Sequence, residues 1–359
     1  MTCGLAYVIF FCTFARKTVQ RVRKYAAFCL IALVFMACEN RQPVDQVGKD
    51  LTVVFATTSS MTGDGYNELI LQGVMEGVKA HPDISLHLLK PDSIGEARLQ
   101  IEAWKKKADP TKALILCGPE FEQIAAETDS TAGRILLLDC YSPHRKGVST
   151  ALLKRYGGGW LAGAMIHELK MLLIKGLNGD RIIDAISSGI ENGYRENNGV
   201  EYQVVVLANG YEGLSMIDEA FSLPYTSDTI ISLVNTESIT VPVCGMARLG
   251  VFSCSHNYYR VAMGVGEDCS AYSDNIPFSL VYDIGSIVRD YINRWAQDET
   301  WPEHETFGLA TGHVRIAYNE RFYLSMGFLS DWPISKDKWR ALEAQYQSAA
   351  LEKEVSHAY

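Results

Sequence analysis

No two cysteines or histidines in this chain stand at metal-ligand spacing. The nine cysteines, at positions 3, 12, 29, 38, 117, 140, 244, 254 and 269, form no CxxC pair and no finger-like Cys/His set, so a zinc site is not expected. A Gly-x-Ser-x-Gly nucleophile elbow is missing. The glycine cluster at Gly157 to Gly159 is not followed by Lys-Ser or Lys-Thr, so it reads as close helix packing rather than a phosphate loop. Basic residues interleaved with aromatics are also missing. The chain has 33 basic against 42 acidic residues, a formal net charge of −9. Five of those cations (Arg16, Lys17, Arg21, Arg23, Lys24) fall in residues 1–37, which hold no acid, so the rest carries 28 basic against 42 acidic residues, a net of −14. An acidic body of this kind does not suit nonspecific nucleic-acid binding. Nothing calls for a cofactor.

What is present starts with composition. With 359 residues, 48% hydrophobic and 21% charged, the chain is of ordinary globular make-up and long enough for two lobes. Near the start, Arg21, Arg23 and Lys24 precede AAFCLIALVFMA, an apolar run of signal-peptide length that is too short for an ordinary membrane span. It ends in Phe35-Met36-Ala37-Cys38, which resembles a bacterial lipobox. The expectation is a lipoprotein-type signal peptide over residues 1–37, lipidation at Cys38, and a polar tether over 38–50. That places the body in the cell envelope, facing the periplasm or exterior from a bacterial membrane. Of the later cysteines, Cys117 and Cys140 end apolar runs and read as buried thiols, while Cys244 has Cys254 or Cys269 as disulfide candidates.

The stretch Leu51 to Val78 sets the pattern for the body. LTVVFA is a charge-free run suited to a strand buried on both faces. A small polar loop follows, and from Tyr66 the positions Ile70, Val74 and Val78 recur at helical spacing. In open α/β sheets such a loop lies at the carboxyl ends of the strands, where ligands bind. The pattern recurs in ISLHLLK, in ALILC followed by Gly118-Pro119-Glu120-Phe121, and in RILLLD, which ends at Asp139. Alternation of this kind predicts a mainly parallel sheet. Cys140 to Val148 reads as the break between lobes. A second series follows: a helix over Tyr156 to Leu173, a strand over Ile182 to Ser188 with a short helix after it, a strand over Val200 to Gly210, a helix over Tyr211 to Phe221, and a strand over Asp228 to Thr236. Val243 to Tyr259 has no clear period. Beyond it the reading is a strand over Arg260 to Val265, a helix over Phe278 to Trp295, two short strands in FGLA and HVRIAY, and a closing helix over Ser335 to Glu354.

Five patches in this order match a known pattern. GDGYN (Gly63 to Asn67) resembles the aspartate, Phe/Tyr-Asn motif of the basic membrane protein family, which includes the PnrA-like solute-binding lipoproteins. RYGGGWLAGAMI, AISSGIENGY, MGVGEDCS with IPFSLVYDIGSIV, and FGLATGHVRIAY resemble four further segments of that family, over about residues 50–330. The resemblance implies a type I periplasmic-binding-protein-like α/β fold: two Rossmann-like lobes with parallel sheets and a three-segment hinge. It also implies a ligand in the cleft, nucleosides being the best-known, and delivery to an ABC permease. On this basis lobe 1 spans residues 51–142, lobe 2 spans 143–265, the chain returns to lobe 1 over 266–300, and 301–359 returns to lobe 2.

By the same match Tyr66 is the stacking aromatic, Asn67 a base hydrogen-bonder, and Asp139 a carboxylate facing the cleft. Strand-end position adds Ser59, Asp64, Phe121, Ser187, Asn235 and Glu267 as ligand-binding candidates. Three positions depart from the family: Ser187 and Gly266 replace acids, and Tyr282 replaces a lysine. The expected function is a lipid-anchored solute-binding protein, not an enzyme, with a small nucleoside-like solute and a permease as partners. Two alternatives stand beside it: a surface or sensor lipoprotein with an altered site, and a nucleoside or sugar hydrolase using Asp64 and Asp139 as an acid/base pair.

Overall fold

A computed structural model describes residues 48–59, 61, 65–107, 109–127, 133–140, 147–198, 201–209, 234, 238–258, 260–325 and 334–359. The early apolar runs become β1 (Lys49–Val54), β2 (Ile84–Leu89), β3 (Lys112–Leu116) and β4 (Arg134–Leu138), followed directly by β5 (Val148–Leu153). Between them lie α1 (Tyr66–Ala80), α2 (Ile94–Lys105) and the short α3 (Glu122–Glu127). The chain continues through α4 (Tyr156–Met165), β6 (Lys170–Asn178), α5 (Arg181–Asn197), β7 (Tyr202–Asn209), β8 (Ser238–Val243), α6 (Arg248–Tyr258) and β9 (Gly264–Gly266). Then come β10 (Phe278–Tyr282), α7 (Ile284–Ala296), β11 (His304–Phe307), β12 (Val314–Tyr318), α8 (Glu320–Ser325) and α9 (Lys336–Ser356).

The first sheet has the order β11-β5-β4-β3-β1-β2 and is parallel throughout. Every residue of β3 is buried. That is what a continuous apolar run without a polar face requires: helices cover the sheet on both sides. The second lobe is built from two three-stranded pieces, β7-β6-β8 and β9-β10-β12. A parallel bridge from Thr240 to Ala262 joins them, and among the described residues of this lobe only the β10–β12 pair is antiparallel. The chain passes between lobes at Lys154–Arg155, at Asp283 and at Gly308–His313. These crossings lie side by side, because Lys154 N–H donates to the Phe307 carbonyl and Asp283 N–H to the His313 carbonyl, both at 2.8 Å. The architecture is thus type I periplasmic-binding-protein-like: two α/β lobes with mainly parallel sheets and a three-segment hinge.

Several expected elements differ. Cys140 to Val148 is not the lobe break, since β5 still pairs with β4 in the first sheet. Nor do the later returns fall at the expected boundaries: β10 belongs to the second lobe, α7 packs on α1, and β11 rejoins the first sheet before β12 crosses back. Residues 182–197 form one helix, not a strand and a short helix. Asp180 caps it, accepting from Ile182 N–H and Ile183 N–H at 2.9 Å each, and the buried set Ile186, Ile190, Gly193 and Tyr194 has helical period. Phe278 to Trp295 divides into strand and helix because Asp283 caps α7, accepting from Ser286 N–H at 3.1 Å. The helix expected over Tyr156 to Leu173 stops at Met165, and Met171 to Leu173 lie in β6. Of the stretch Val243 to Tyr259, unassigned by period, residues 243–258 are the end of β8, a short turn and α6. The strand expected at Arg260 shrinks to β9. The helix expected over Tyr211 to Phe221 lies outside the described residues, as does all of the strand expected over Asp228 to Thr236 except Val234.

The glycine cluster of α4 does serve helix packing. A Cβ on Gly193 would sit 1.9 Å from the Trp160 carbonyl oxygen, and one on Gly163 would sit 2.0 Å from that of Ile190. The α4 and α5 backbones therefore touch, leaving no room for a side chain between them. Gly193→Ala is expected to cost about 3 kcal/mol in urea denaturation, because backbone cannot yield as a side chain would. Gly95→Ala, in exposed α2 with only Ser93 Oγ at 3.8 Å, is expected to stabilise by about 0.5–1 kcal/mol by the same measurement.

Candidate functional site: the interlobe cleft

Between the lobes lies a cavity of about 630 Å³, the size of a small-molecule site. The first lobe walls it with the turns after β1 (Ala56 to Ser59) and β3 (Gly118 to Glu120) and with Gly65, Tyr66 and Leu69 at the start of α1. The second lobe contributes the turn after β6 (Gly179 to Arg181), the α5 residues Ile182, Ile183 and Ile186, and the segment from Pro242 to Arg248. Arg155, Tyr282 and Ile284 reach it from the crossings. These are carboxyl-end positions, as the doubly wound topology demands.

Behind the cleft lies a buried polar network. Asp139 ends β4 at a φ of 54° and is 0% exposed. Its oxygens accept from Arg155 Nη1 at 2.6 Å and Nη2 at 2.8 Å, and from the Tyr66 hydroxyl at 2.8 Å. Arg155 Nη1 also donates to the Leu153 carbonyl at 2.7 Å, and the Tyr282 hydroxyl donates to the Arg155 carbonyl at 3.3 Å. The Arg155 guanidinium lies over the Tyr282 ring, 5.7 Å from its centroid. Burial and then the Asp139 carboxylate push the Tyr66 hydroxyl well above the usual tyrosine range, so Tyr66 remains a neutral donor. Burial opposes the charge on Arg155, but Asp139 more than offsets it and holds the guanidinium charged.

The two walls differ in chemistry. On the first lobe the hydroxyls of Thr57, Thr58 and Ser59 stand together with the Glu120 carboxylate, whose Oε1 accepts from Thr57 N–H at 2.6 Å. Burial raises the Glu120 pKa, and Asp180 across the cleft adds to this, while the Thr57 bonds and the charge of Lys90 work against it. The second-lobe wall carries more aliphatic side chains, Leu177, Ile182, Ile183, Ile186, Val243 and Val265, beside Asp180 and Arg181. Arg248 projects from it, donating to the Val265 carbonyl at 2.9 Å and to Glu267 Oε1. Its guanidinium approaches the other lobe at Gly65, where a Cβ would lie 2.9 Å from Nη1.

Ser59 and Tyr66 are the sequence-derived candidates that line the cavity. Asp139 sits one layer back, holding Tyr66. Asn67 is not a ligand hydrogen-bonder. It is 0% exposed and spends its amide on the turn, accepting from Ala56 N–H at 3.2 Å and donating to the Ala56 and Ser59 carbonyls at 3.1 and 2.8 Å. Phe121 is core rather than cleft, at 0% exposed among Leu116 and Ile124. The turn at Gly118 presents Glu120 to the cavity and turns Phe121 inward. Ser187 is buried in α5, while its neighbours Ile183 and Ile186 line the cavity. Glu267 is not in the wall and instead fixes Arg248, with the Tyr272 hydroxyl donating to it at 3.1 Å. Asp64, Asn235 and Cys38 lie outside the described residues. Sequence reading missed Thr57, Thr58, Asp180 and Arg248. It passed over Glu120 for Phe121, although a carboxylate at a strand end was the better signal.

Gly266 takes a φ of +105°, and a Cβ there would lie 2.8 Å from Arg248 Nη1. Arg248 already fills that space. Tyr282 is engaged with Arg155. Cys244, Cys254 and Cys269 are buried free thiols, as is Cys117, so neither candidate disulfide is formed. Burial pushes the Cys244 thiol at the cleft wall up to about 12, which makes it a poor nucleophile.

Arg155→Met is expected to cost about 3–5 kcal/mol in urea denaturation, because Asp139 would stay buried and uncompensated. The double variant with Asp139→Asn should recover much of the loss. Glu120 titrates with the opposite sign to a salt-bridged acid: its raised pKa means the folded state binds the proton more tightly, so its contribution falls as pH rises through that pKa. Glu120→Gln, which keeps an acceptor for Thr57 N–H, is expected to melt higher than the parent at pH 8. The gap should close as pH falls to the ordinary glutamate value of about 4.3.

No family model matches the chain, and no curated protein matches it. Solved structures do. An ABC transporter solute-binding protein from Aeropyrum pernix superposes with a TM-score of 0.62 at 11% identity, covering 85% of this chain and 90% of that one. A transcriptional activator of the comK gene from Bacillus halodurans gives 0.61 at 13% identity over 85% and 98%. An ABC transporter solute-binding protein from Burkholderia graminis, in complex with D-arabinose, gives 0.55 at 12% identity over 78% and 98%. Identities this low establish a shared architecture: the chain has the type I periplasmic-binding-protein-like fold, with its cavity at the strand-end junction of the two lobes.

Proposed function

We propose that this protein is an extracytoplasmic solute-binding protein that captures a small solute between its lobes and presents it to an ABC permease. One observation carries the reading: a cavity of about 630 Å³ walled from two lobes, between which the described chain passes at three adjacent crossings. Such a joint lets the lobes close on a ligand and open to release it. The closed form differs in outline from the open one, and a permease can read that difference. The charge, apolar run and Ala37-Cys38 junction support a lipid anchor at Cys38, holding the body at a bacterial membrane. Solute-binding proteins of ABC systems among the similar structures support the same role.

The resemblance implies a nucleoside. Tyr66 offers a ring to the cleft, held in place through its bond to Asp139. The other positions that would serve a nucleoside are a glycine under Arg248, a tyrosine engaged with the hinge and a serine buried in α5. The hydrolase alternative is weakened by Asp139: its oxygens already accept from Arg155 and Tyr66, and no solvent reaches it. A thermal-shift screen of the full chain against nucleosides, bases, sugars and small amines tests the proposal. A cleft ligand present at a hundred times its Kd should stabilise by about 2.7 kcal/mol. Tyr66→Ala should lose most of that gain while keeping a cooperative transition. An unshifted midpoint throughout the screen, or an undiminished shift in Tyr66→Ala, would count against the cleft assignment.

A further inference from the structure

The charges around the cavity are not arranged at random. Three arginines line it, and each is matched by a carboxylate that does not. Arg155 is held by Asp139 at 2.6 Å, Arg248 by Glu267, and Arg181 lies 3.4 Å from Glu122. Arg181 also donates to the Tyr359 hydroxyl at 3.2 Å. Each positive charge therefore has a carboxylate partner outside the lining, Glu122 reaching Arg181 from the first lobe, and little remains to attract an anion. Glu120 differs. It lines the cavity and spends one oxygen on Thr57 N–H, and among the described residues no cation comes within ion-pair distance of it. The Lys90 ammonium is bonded to the Thr57 and Pro91 carbonyls instead. Asp180, on the opposite lobe, lines the same cavity and is close enough to add to the upward shift of the Glu120 pKa.

The walls restrict the ligand further. The second-lobe wall carries Asp180, Arg181 and Arg248, and beside them an apolar stretch of Ile182, Ile183, Ile186 and Val243. Burying a polyol hydroxyl against that stretch without a partner is costly. On the first lobe Thr57, Thr58 and Ser59 line the cavity with Glu120. A ligand that satisfies both sides has an apolar body and one compact, strongly donating head.

We propose that the solute is a small organic cation, a protonated amine on a compact aliphatic or ring body. Its ammonium sits at Glu120, facing Asp180, and its body lies against the isoleucines of α5. An ammonium supplies three donors and no acceptor. That matches the Glu120 carboxylate, to which Thr57 is already hydrogen-bonded, and the neighbouring Thr58 and Ser59, and it relieves the repulsion between the Glu120 and Asp180 carboxylates. The inference rests on the solute-binding reading above and adds the charge and shape of the solute.

The test is isothermal titration of the full chain at pH 7.5 with cyclohexylmethylammonium, with its neutral counterpart cyclohexylmethanol, and with cyclohexanecarboxylate. D-arabinose and adenosine complete the set. The expected result is that the ammonium binds at least about tenfold tighter than the alcohol, with no measurable binding of the carboxylate. Glu120→Gln should weaken the ammonium by about tenfold or more and change the alcohol by less than about twofold. Asp180→Asn, which still caps α5, should weaken the ammonium in the same selective way. Equal binding of the alcohol or the carboxylate, or equal loss for all ligands in Glu120→Gln, would overturn the cation assignment. Binding of D-arabinose or adenosine without the ammonium would overturn it too, yet leave the solute-binding reading in place. No binding by any of the five would remove both.

Discussion

The bidentate pair between Asp139 and Arg155 is the contact on which the interlobe arrangement depends. It joins the end of β4 in the first lobe to the first crossing, and through the Tyr66 hydroxyl it also holds the start of α1. The Tyr282 hydroxyl brings in the second crossing by donating to the Arg155 carbonyl. A buried pair of this kind is a weak source of net stability, because desolvation consumes most of the Coulombic gain. Its value is directional. The planar guanidinium accepts one orientation of the carboxylate, so strand end, crossing and cleft aromatic are set relative to one another.

Around that fixed point the cleft acquires its two-sided character from ordinary fold constraints. On the first lobe the turns after β1 and β3 carry hydroxyls and a carboxylate, and Asn67 braces the β1 turn from beneath. On the second lobe the capping of α5 by Asp180 aims the first turns of an isoleucine-rich helix at the cavity. Arg248 completes the site by occupying the space that a side chain at position 266 would need.

Helix packing supplies the rigidity this requires. Glycines on α4 and α5 let two backbones meet, and Gly73 on α1 lies against Gly285 on α7, where a Cβ would be 2.0 Å from a carbonyl oxygen. Close-packed layers of this sort move as bodies rather than deform. Motion is therefore directed to the three crossings, where hydrogen bonds between adjacent segments keep the joint in register.

Local chemistry by itself determined much of this protein. Charge-free runs such as ALIL and ILLL had to be strands covered on both faces, and their alternation with helical periods required parallel sheets in layers. Strand-end loops therefore had to form the ligand edge, which is why Ser59 and Tyr66 were legible as cleft residues. Where two readings of local period competed, only tertiary structure decided: IIDAISS became helix because Asp180 capped it, and FSLVY became strand because β12 and β9 were there to pair with it. Which strand-end side chains face the cavity was decided the same way. Asn67 and Glu120 are both polar and both near a strand end, yet one is consumed by the turn beneath it and the other lines the cavity. That depends on which backbone groups lie within about 3 Å, a distance set by packing between segments far apart in the chain.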